Sequence, residues 1–293
     1  MKDEDRIVWL NGAFMPIIQA SISPLDRGFL YGDGVFETIR GEYGMPLYLS
    51  NHVARMMNAA DALNISITDE IKWGFILSQL IRENNFEQKV SRIKVIVTRG
   101  VQHGLDLRET DTPTILAYVN SYTVPEKKYR NGWKLHIIRD SAAPRMAKYK
   151  TLNYLYYLYV RQQAIAEGAD EALILDRNEE ATETATGSLL FRTNGIWWTP
   201  DSEHQLPGIA RSQVISILKE GGEDVEQRSA NLEAVLSAET VWVTNSMIGV
   251  MPIVEISGYP VKEPLFDRAT EIRDEFIIRG RRDPLSTTLS LIK

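Results

Sequence analysis

The chain has 293 residues, enough for two domains of roughly 150 residues, and its 44% hydrophobic and 25% charged content excludes a disordered or collagen-like protein. The absence of cysteine excludes disulfides, thiolate nucleophiles and Cys-ligated zinc or iron–sulfur sites. A net charge of −6 argues against a nucleic-acid binder, and the four histidines lack the spacing of metal ligands. The sequence shows no signal peptide and no apolar run of membrane-spanning length. We therefore expect a cytoplasmic protein without a metal site or a membrane span.

The first 120 residues mix strand and helix patterns. Asn11-Gly12 predicts a hairpin turn, and an apolar stripe predicts a helix beginning after Ser50 or Asn51 as N-cap. Three glycines between residues 28 and 34 need a backbone reason. The predicted strands are 7–10, 14–18, 37–40, 92–98 and 113–118, and the predicted helices are 52–63 and 69–84.

The second half mixes the same two element types without a βαβ rhythm. The polar segment 123–132, with Pro125, predicts a linker between an N-terminal domain at 1–122 and a C-terminal domain at 133–293. The predicted strands are 133–138, 172–175, 188–191, 196–199 and 241–244, the predicted helices are 152–168, 208–220 and 266–278, and the last 25 or so residues are expected to be a solvated tail. This pattern favours an α+β fold.

The chemistry must come from few residue types. No Gly-x-Ser-x-Gly elbow, P-loop or Gly-x-Gly-x-x-Gly fingerprint is present. What remains is a lysine, an acid, an arginine and a helix N-terminus. An organic phosphate cofactor that forms a Schiff base uses these four features.

Four motifs supply those features in order along the chain. They are His52-Val53-Ala54-Arg55, Lys150-Thr151-Leu152-Asn153-Tyr154, Thr182-Glu183 followed by small residues and an apolar run, and Gly208-Ile209-Ala210-Arg211. From spacing alone, a structural alternative stays open for each of these residues. Lys150 would then be a solvated lysine beside Lys148, Glu183 a loop acid and Arg55 a helix-surface arginine. The agreement of all four motifs favours a shared site.

With these motifs the chain resembles the class IV aminotransferases, the fold type IV pyridoxal-phosphate enzymes. That family contains branched-chain and D-amino acid aminotransferases, R-selective amine transaminases and 4-amino-4-deoxychorismate lyases. The resemblance implies a two-domain α+β fold, with a small N-terminal α/β domain and a larger C-terminal domain around a β-barrel-like sheet. It also implies pyridoxal 5'-phosphate as cofactor and, as in most family members, a homodimer.

The resemblance implies a role for each matched residue. Lys150 would form the Schiff base and serve as general base, and Glu183 would face the pyridine nitrogen of the cofactor. Arg55 would bind the cofactor phosphate. The backbone N–H groups of Ile209 and Ala210 would bind it at a helix N-terminus, with Ala210 replacing the family's usual threonine. Asn245, Ser246 and Tyr154 complete the predicted cofactor-binding set.

The resemblance implies that the N-terminal half lines the substrate pocket. Strand alternation places Phe36, Thr38 and Arg40 on one face. Core packing for Phe36 and a strand ion pair for Arg40 are the alternatives. The family's Arg-x-His carboxylate trap is not reproduced around residues 99–103, which argues against D-amino acid specificity. The complete predicted pocket is Tyr31, Phe36, Thr38, Arg40, Arg92, Arg99 and His103.

Two reactions share these residues. The favoured function is transfer of an amino group from an amino acid or primary amine to a 2-oxo acid. The alternative is an aminodeoxychorismate lyase that releases 4-aminobenzoate and pyruvate, and Thr38, at a position where such lyases often carry threonine, supports it. A non-enzymatic pyridoxal-phosphate carrier is opposed by the joint presence of Lys150 and Glu183.

Overall fold

The computed structural model of the protein describes residues 3–139 and 146–287. These residues form two compact units. The described part of the first unit comprises 3–123, 149–153 and 278–287, and that of the second comprises 124–139, 146–148 and 154–277.

The elements follow the chain as fifteen strands and nine α-helices within the described residues. The strands are β1 Ile7–Leu10, β2 Ala13–Pro16, β3 Gly34–Glu42, β4 Met45–Pro46, β5 Ser91–Thr98, β6 Thr114–Ser121, β7 Trp133–Arg139, β8 Glu171–Leu175, β9 Ala181–Thr184, β10 Ser188–Thr193, β11 Ile196–Pro200, β12 Val225–Arg228, β13 Thr240–Asn245, β14 Gly249–Ile256 and β15 Tyr259–Pro260. The helices are α1 Arg27–Tyr31, α2 Leu49–Ala62, α3 Trp73–Glu83, α4 Glu126–Asn131, α5 Leu155–Ala166, α6 Ile209–Glu220, α7 Leu232–Ser237, α8 Phe266–Gly280 and α9 Pro284–Thr287.

The first unit is built on an antiparallel six-stranded sheet with strand order β2-β1-β6-β5-β3-β4. One face carries the apolar residues of alternating positions, which pack with α2 and α3 into a core that includes Trp9, Ile39, Leu77 and Val95. The opposite positions of β3 and β5 therefore project from the other face of the sheet.

The predicted hairpin at the N-terminus is confirmed. Asn11 and Gly12 have φ of 47° and 96°, the left-handed values that a two-residue turn requires. The glycine-rich segment also has its backbone reason. Gly32 ends α1 with φ 66°, and a Cβ on Gly28 would lie 2.2 Å from Cγ2 of Thr98.

Helix α2 begins earlier than predicted. Its N-cap is Tyr48, with φ 53°, and neither Ser50 nor Asn51 caps it. Ser50 lies inside the first turn, where its backbone N and Oγ both donate to the carboxylate of Asp283, at 3.0 and 2.7 Å. The carboxylate of Asp283, more than 200 residues away, accepts a hydrogen bond at the start of α2, where the sequence predicted Ser50 or Asn51 as the capping side chain.

The second unit is built on a nine-stranded sheet with order β12-β11-β10-β13-β14-β7-β8-β9 and with β15 beside β14. The sheet is mixed: β11 with β12 and β7 with both β14 and β8 are parallel pairs, and the other neighbours in the strand order pair antiparallel. The sheet curls so that β9 also approaches β10. Its core is apolar and aromatic, with Phe191 stacked on Trp198 at 4.3 Å between centroids. This curled sheet is the predicted barrel-like core.

Two segments differ from their predicted organisation. The predicted linker at 123–132 contains α4, and Tyr129 on it is buried and donates from its hydroxyl to the carbonyl of Ile248 at 2.8 Å, so it is part of the second unit. The last 25 or so residues, expected to be a solvated tail, form the end of α8 and all of α9 over the described residues. Asp283 and Ser286 in this segment are buried. Residues 149–153 and 278–287 pack with the first unit, outside the predicted bounds 1–122.

Among residues 3–139 and 146–287, no helix is long and apolar enough to cross a bilayer. Over the same residues, no three acidic or histidine side chains are grouped to hold a metal ion.

The Asp283 contact predicts a stability effect. Asp283→Ala removes the acceptor for two donors of Ser50 and for the backbone N of Leu285. We expect the free energy of unfolding to fall by about 2 kcal/mol, since the partly buried donors of Ser50 are left unpaired. Urea unfolding checks this against Asp274→Ala, an exposed position on α8. Equal stability of the two variants would contradict it.

Candidate active site

A buried carboxylate organises the first unit. Glu37 projects from β3 to the helix side of the sheet, where Oε2 lies 2.7 Å from Nδ1 of His52. Arg55 donates to both oxygens, from Nε to Oε1 and from Nη2 to Oε2, each at 2.7 Å. His52 and Arg55 lie three residues apart on α2, so the helix presents both to one acceptor. The three residues form a hydrogen-bonded ion-pair network.

Charge decides the protonation of this network. Burial alone would raise the pKa of Glu37, but the Arg55 guanidinium and His52 outweigh it and lower that pKa to about 2. Burial lowers the pKa of His52 despite the adjacent Glu37. At neutral pH the network is therefore an ionised Glu37 paired with Arg55, and it fixes the direction of the guanidinium.

The backbone of Lys150 is hydrogen-bonded to β3, the strand that carries Glu37. The backbone N of Phe36 donates to the carbonyl of Lys150, and that of Leu152 donates to the carbonyl of Gly34, both at 2.9 Å. The segment 149–153 therefore pairs with β3 although it lies over 100 residues away in sequence. A Cβ on Gly34 would stand 2.3 Å from the carbonyl of Val97 and 2.9 Å from Leu152, so this close approach requires glycine.

The Lys150 amine has a second lysine near it. Nζ of Lys150 and Nζ of Lys94 both lie over the ring of Phe36, 4.7 and 4.0 Å from its centroid. Burial, together with the positive charges of Lys150 and Arg92, lowers the pKa of Lys94 to about 8. The charged form of Lys94 is therefore disfavoured beside Lys150 and Arg92.

Strand alternation brings several predicted pocket residues together. Phe36, Thr38 and Arg40 project from one face of β3, and Lys94 lies opposite Thr38 with Arg92 opposite Arg40. This face is basic and half-buried. Arg40 itself is engaged: Nε donates to Glu42 at 2.8 Å, which is the strand ion pair considered as its alternative.

Arg99 does not belong to such a pocket. Its five guanidinium N–H groups are all used, on both oxygens of Asp33 and on the carbonyls of Leu63, Asn64 and Arg108. The side chain is fully buried. The structure thus corrects the prediction for Arg99, which orders a loop and has no donor left for a substrate.

Two other predicted pocket residues lie on elements other than β3 and β5. His103 is exposed, in the loop between β5 and β6. Tyr31 is at the end of α1, half exposed, and stacks under the guanidinium of Arg27. Neither position is on the face that Phe36, Thr38 and Arg40 share.

Glu183 is a buried acid of the second unit. It lies on β9 and is 6% exposed. The hydroxyl of Tyr157 donates to its Oε1 at 2.8 Å, and the backbone N of Leu206 donates to its Oε2 at 3.0 Å. Tyr154, one helical turn before Tyr157, donates to the carbonyl of Ala185 at 2.8 Å.

Helix α6 begins beside β10 and β13. Gly208 is its N-cap and offers no side-chain acceptor, so the N–H groups of Ile209 and Ala210 open the helix without a side-chain cap. A Cβ on Gly208 would lie 2.4 Å from Oγ of Ser188, which shows how closely the helix N-terminus meets β10. Ser188 pairs with Thr244 across the sheet, so their side chains share a face.

Thr244 is the polar residue without a protein partner at this place. Its Oγ1 is buried and has no hydrogen bond. Asn245, in contrast, accepts from the backbone N of Met247 and Ile248, both at 2.9 Å, so its side chain shapes the turn that holds Ser246. A helix N-terminus next to an orphaned hydroxyl is a suitable place for an anionic group.

Four residues of the site were not predicted from the sequence: Glu37, Lys94, Tyr157 and Thr244. Strand alternation could have indicated two of them. It places Lys94 on the same face of β5 as Arg92, and it places Glu37 on the face of β3 opposite to Phe36. No sequence signal indicates that Tyr157 meets Glu183, because that contact joins a helix to a strand 26 residues later.

The chain is similar to several known proteins. The profile of the amino-transferase class IV family matches residues 34–256. A putative branched-chain-amino-acid aminotransferase of Methanocaldococcus jannaschii is 32% identical over 258 residues, 86% of this chain and 88% of that protein. An aminodeoxychorismate lyase of Bacillus subtilis is 27% identical over 253 residues, 85% and 86% of the two chains.

A solved structure shows the same fold. The T.th. branched-chain amino acid aminotransferase with pyridoxamine 5'-phosphate superposes with a TM-score of 0.82 at 26% identity, covering 96% of each chain. The predicted α+β class and the barrel-like sheet that the family resemblance implied are thereby confirmed, and pyridoxal 5'-phosphate is the cofactor.

The Glu37 network predicts a pH-dependent effect. Glu37→Gln leaves Arg55 without its buried counter-charge, and we expect the free energy of unfolding at pH 7 to fall by about 3 kcal/mol. Because the folded pKa of about 2 lies below the ordinary value of 4.5, this stabilisation is present above pH 4.5 and lost as the pH falls toward 2. The difference between wild type and variant should therefore shrink from pH 7 to pH 3.

Urea unfolding at several pH values measures this difference. Glu70→Gln, at an exposed position of the same unit, is the matched control. A constant difference across the pH range would contradict the assigned charge state.

Proposed function

This chain belongs to the class IV aminotransferase family, and we propose that it transfers an amino group from an amino acid or primary amine to a 2-oxo acid through Lys150. The observation that carries the proposal is the position of Lys150, whose backbone pairs with β3 and whose amine shares the Phe36 ring with Lys94. A lysine amine at this position is able to act as nucleophile and, once deprotonated, as base.

The residues present suit the cofactor. Lys150 supplies the amine, Glu183 a buried carboxylate, Arg55 an oriented guanidinium, and the start of α6 with the orphaned Thr244 hydroxyl an anion-binding place. Pyridoxal 5'-phosphate, when bound, supplies a conjugated ring that accepts the electron pair left at the substrate Cα.

Each residue then has a defined task. Lys150 would hold the cofactor through its amine, and the same Nζ would accept the substrate Cα proton as general base. Lys94 lies over the same Phe36 ring as that Nζ. Glu183 pairs with the pyridine nitrogen as an anion. Arg55 contacts the phosphate with an orientation set by Glu37.

Backbone donors at the start of α6 are the second set of groups that would bind the phosphate. The N–H groups of Ile209 and Ala210 offer two hydrogen bonds and the positive end of the α6 dipole. Since Ala210 has no hydroxyl, Thr244 and Ser246 are the side chains that supply one. Tyr154 stays near Glu183 through its bond to Ala185.

The aminodeoxychorismate lyase reaction is the second candidate. Thr38 lies on the basic β3 face opposite Lys94, and one of the relatives at comparable coverage is an aminodeoxychorismate lyase. A basic face accommodates a substrate with more than one carboxylate. The proton-transfer task of Lys150 would be the same, and the products 4-aminobenzoate and pyruvate would identify the reaction.

A homodimer is the proposed assembly. Exposed apolar side chains cluster on two adjoining segments of the first unit: Leu25 and Phe29 are 54% and 76% exposed, and Leu105 is 79% exposed. The segments are joined by a hydrogen bond from the backbone N of Arg27 to Gly100 at 2.9 Å. An apolar patch of this kind supports contact with a second copy.

The assembly has a direct test. Phe29→Glu places a charge in this patch, and we expect it to convert a dimer to a monomer in light scattering coupled to size exclusion. Tyr259→Glu, at an exposed aromatic of the second unit, is the matched control and should remain dimeric. A wild-type monomer would refute the assembly.

The activity is tested by absorption spectroscopy. Purified protein supplied with pyridoxal 5'-phosphate should show a visible band that Lys150→Ala abolishes, whereas Lys148→Ala, which changes the neighbouring lysine, retains it. L-leucine, L-glutamate, D-alanine and R-phenylethylamine are then added singly without an acceptor.

A donor that converts the band to the pyridoxamine form establishes the transaminase and names its donor class. If no donor converts it, and aminodeoxychorismate yields pyruvate, the lyase reaction replaces the proposal. A band that survives Lys150→Ala would refute the role of Lys150.

A further inference from the structure

Tyr157 has no role in the function described so far, although it touches the acid of the site. It lies in the first turn of α5 and its hydroxyl donates to Oε1 of Glu183 at 2.8 Å. The backbone N of Leu206 donates to the other oxygen at 3.0 Å. Each carboxylate oxygen of Glu183 thus accepts from a donor on a different segment of the chain.

These two donors oppose the effect of burial. A carboxylate that is 6% exposed loses water, which favours its neutral form, whereas each donated hydrogen bond stabilises the anion. A hydrogen bond to a charged acceptor is about twice as strong as a neutral one.

Tyr157 remains a donor over the whole working pH range. Burial and the negative charge of Glu183 raise the pKa of its phenol above the usual value. Its ring is fixed by two neighbours, Tyr154 at 5.0 Å and Tyr156 at 5.3 Å between centroids. The ring position therefore does not depend on the hydroxyl, and the hydroxyl is delivered to Glu183 in one direction.

We propose that Tyr157 is a positioning residue, which holds Glu183 as an oriented anion and so keeps the shared proton on the pyridine nitrogen of the bound cofactor. This inference rests on the proposed function, in which Glu183 pairs with that nitrogen. One proton is shared between the two groups, on the ring nitrogen or on Glu183. Donation from Tyr157 lowers the basicity of the carboxylate and favours the first arrangement.

The position of that proton sets the reaction rate. A protonated ring nitrogen accepts the electron pair from Cα, whereas a neutral one accepts it less readily. Removing one hydrogen bond to a charged acceptor should slow proton abstraction by Lys150 roughly tenfold. Binding of the phosphate should be unaffected, because Tyr157 contacts Glu183 and the neighbouring tyrosine rings.

The experiment uses holoenzyme loaded with pyridoxal phosphate labelled with nitrogen-15 at the ring nitrogen. Tyr157→Phe removes only the hydroxyl and keeps the ring contacts. We expect its nitrogen-15 resonance to move from the pyridinium range toward the neutral pyridine range, with a roughly tenfold slower half-reaction. Tyr159→Phe makes the same change at an exposed position of α5 and should match wild type in both measurements.

A double variant tests whether Tyr157 acts through Glu183. Glu183→Gln cannot carry the charge that Tyr157 supports, so adding Tyr157→Phe to it should cause no further rate loss. Circular dichroism of each holoenzyme verifies the fold.

The outcomes distinguish the role of Tyr157 from that of Glu183. If wild type binds the cofactor and turns over, and Tyr157→Phe leaves the nitrogen-15 resonance unmoved, Tyr157 is only a packing residue and the inference is refuted. If wild type itself shows no pyridinium resonance, the role of Glu183 in the proposed function fails instead.

Discussion

The Glu37–Arg55–His52 network is the interaction on which the first unit depends. A carboxylate under the sheet is costly to bury alone, and it is stable here because α2 delivers a guanidinium fork and an imidazole to it. The same strand carries Phe36 on its other face and Lys150 along its backbone. One nine-residue strand therefore fixes the direction of a cation on one side and the position of an amine on the other.

The second unit solves a similar problem with neutral donors. Glu183 is nearly as buried as Glu37, yet it accepts hydrogen bonds from a phenol and a backbone amide. Glu37 is paired directly with a guanidinium, whereas a phenol and a backbone amide donate to Glu183, whose charge also acts on the nearby Arg211.

Two cations of the first unit, Arg99 and Lys94, also differ in their partners. Arg99 has every donor occupied by Asp33 and by backbone carbonyls, so it orders the loop beyond β5. Lys94 is partly desolvated beside the Phe36 ring, and its pKa of about 8 reflects an unfavourable charged state that an anionic ligand would relieve. Residue type alone does not separate these two roles, because both depend on which acceptors the fold brings within reach.

The sequence by itself determined the family, the cofactor, the α+β class and most helices and strands. Those conclusions rest on short motifs and on alternation, which are local: the Asn11-Gly12 turn, the apolar faces of β5 and α3, and the Gly208 helix start are each set by residues within a few positions. The face shared by Phe36, Thr38 and Arg40 followed from the period of a strand in the same way.

Only the tertiary structure decided which partners those residues have. It replaced Ser50 as a cap by Asp283 as an acceptor, placed 149–153 beside β3, removed Arg99 from the pocket, and joined Tyr157 to Glu183. Each of these contacts links residues far apart in the chain, and its energy depends on burial and on distances near or below about 3 Å. Sequence periodicity carries neither quantity, so charge state and partner choice were decided by packing.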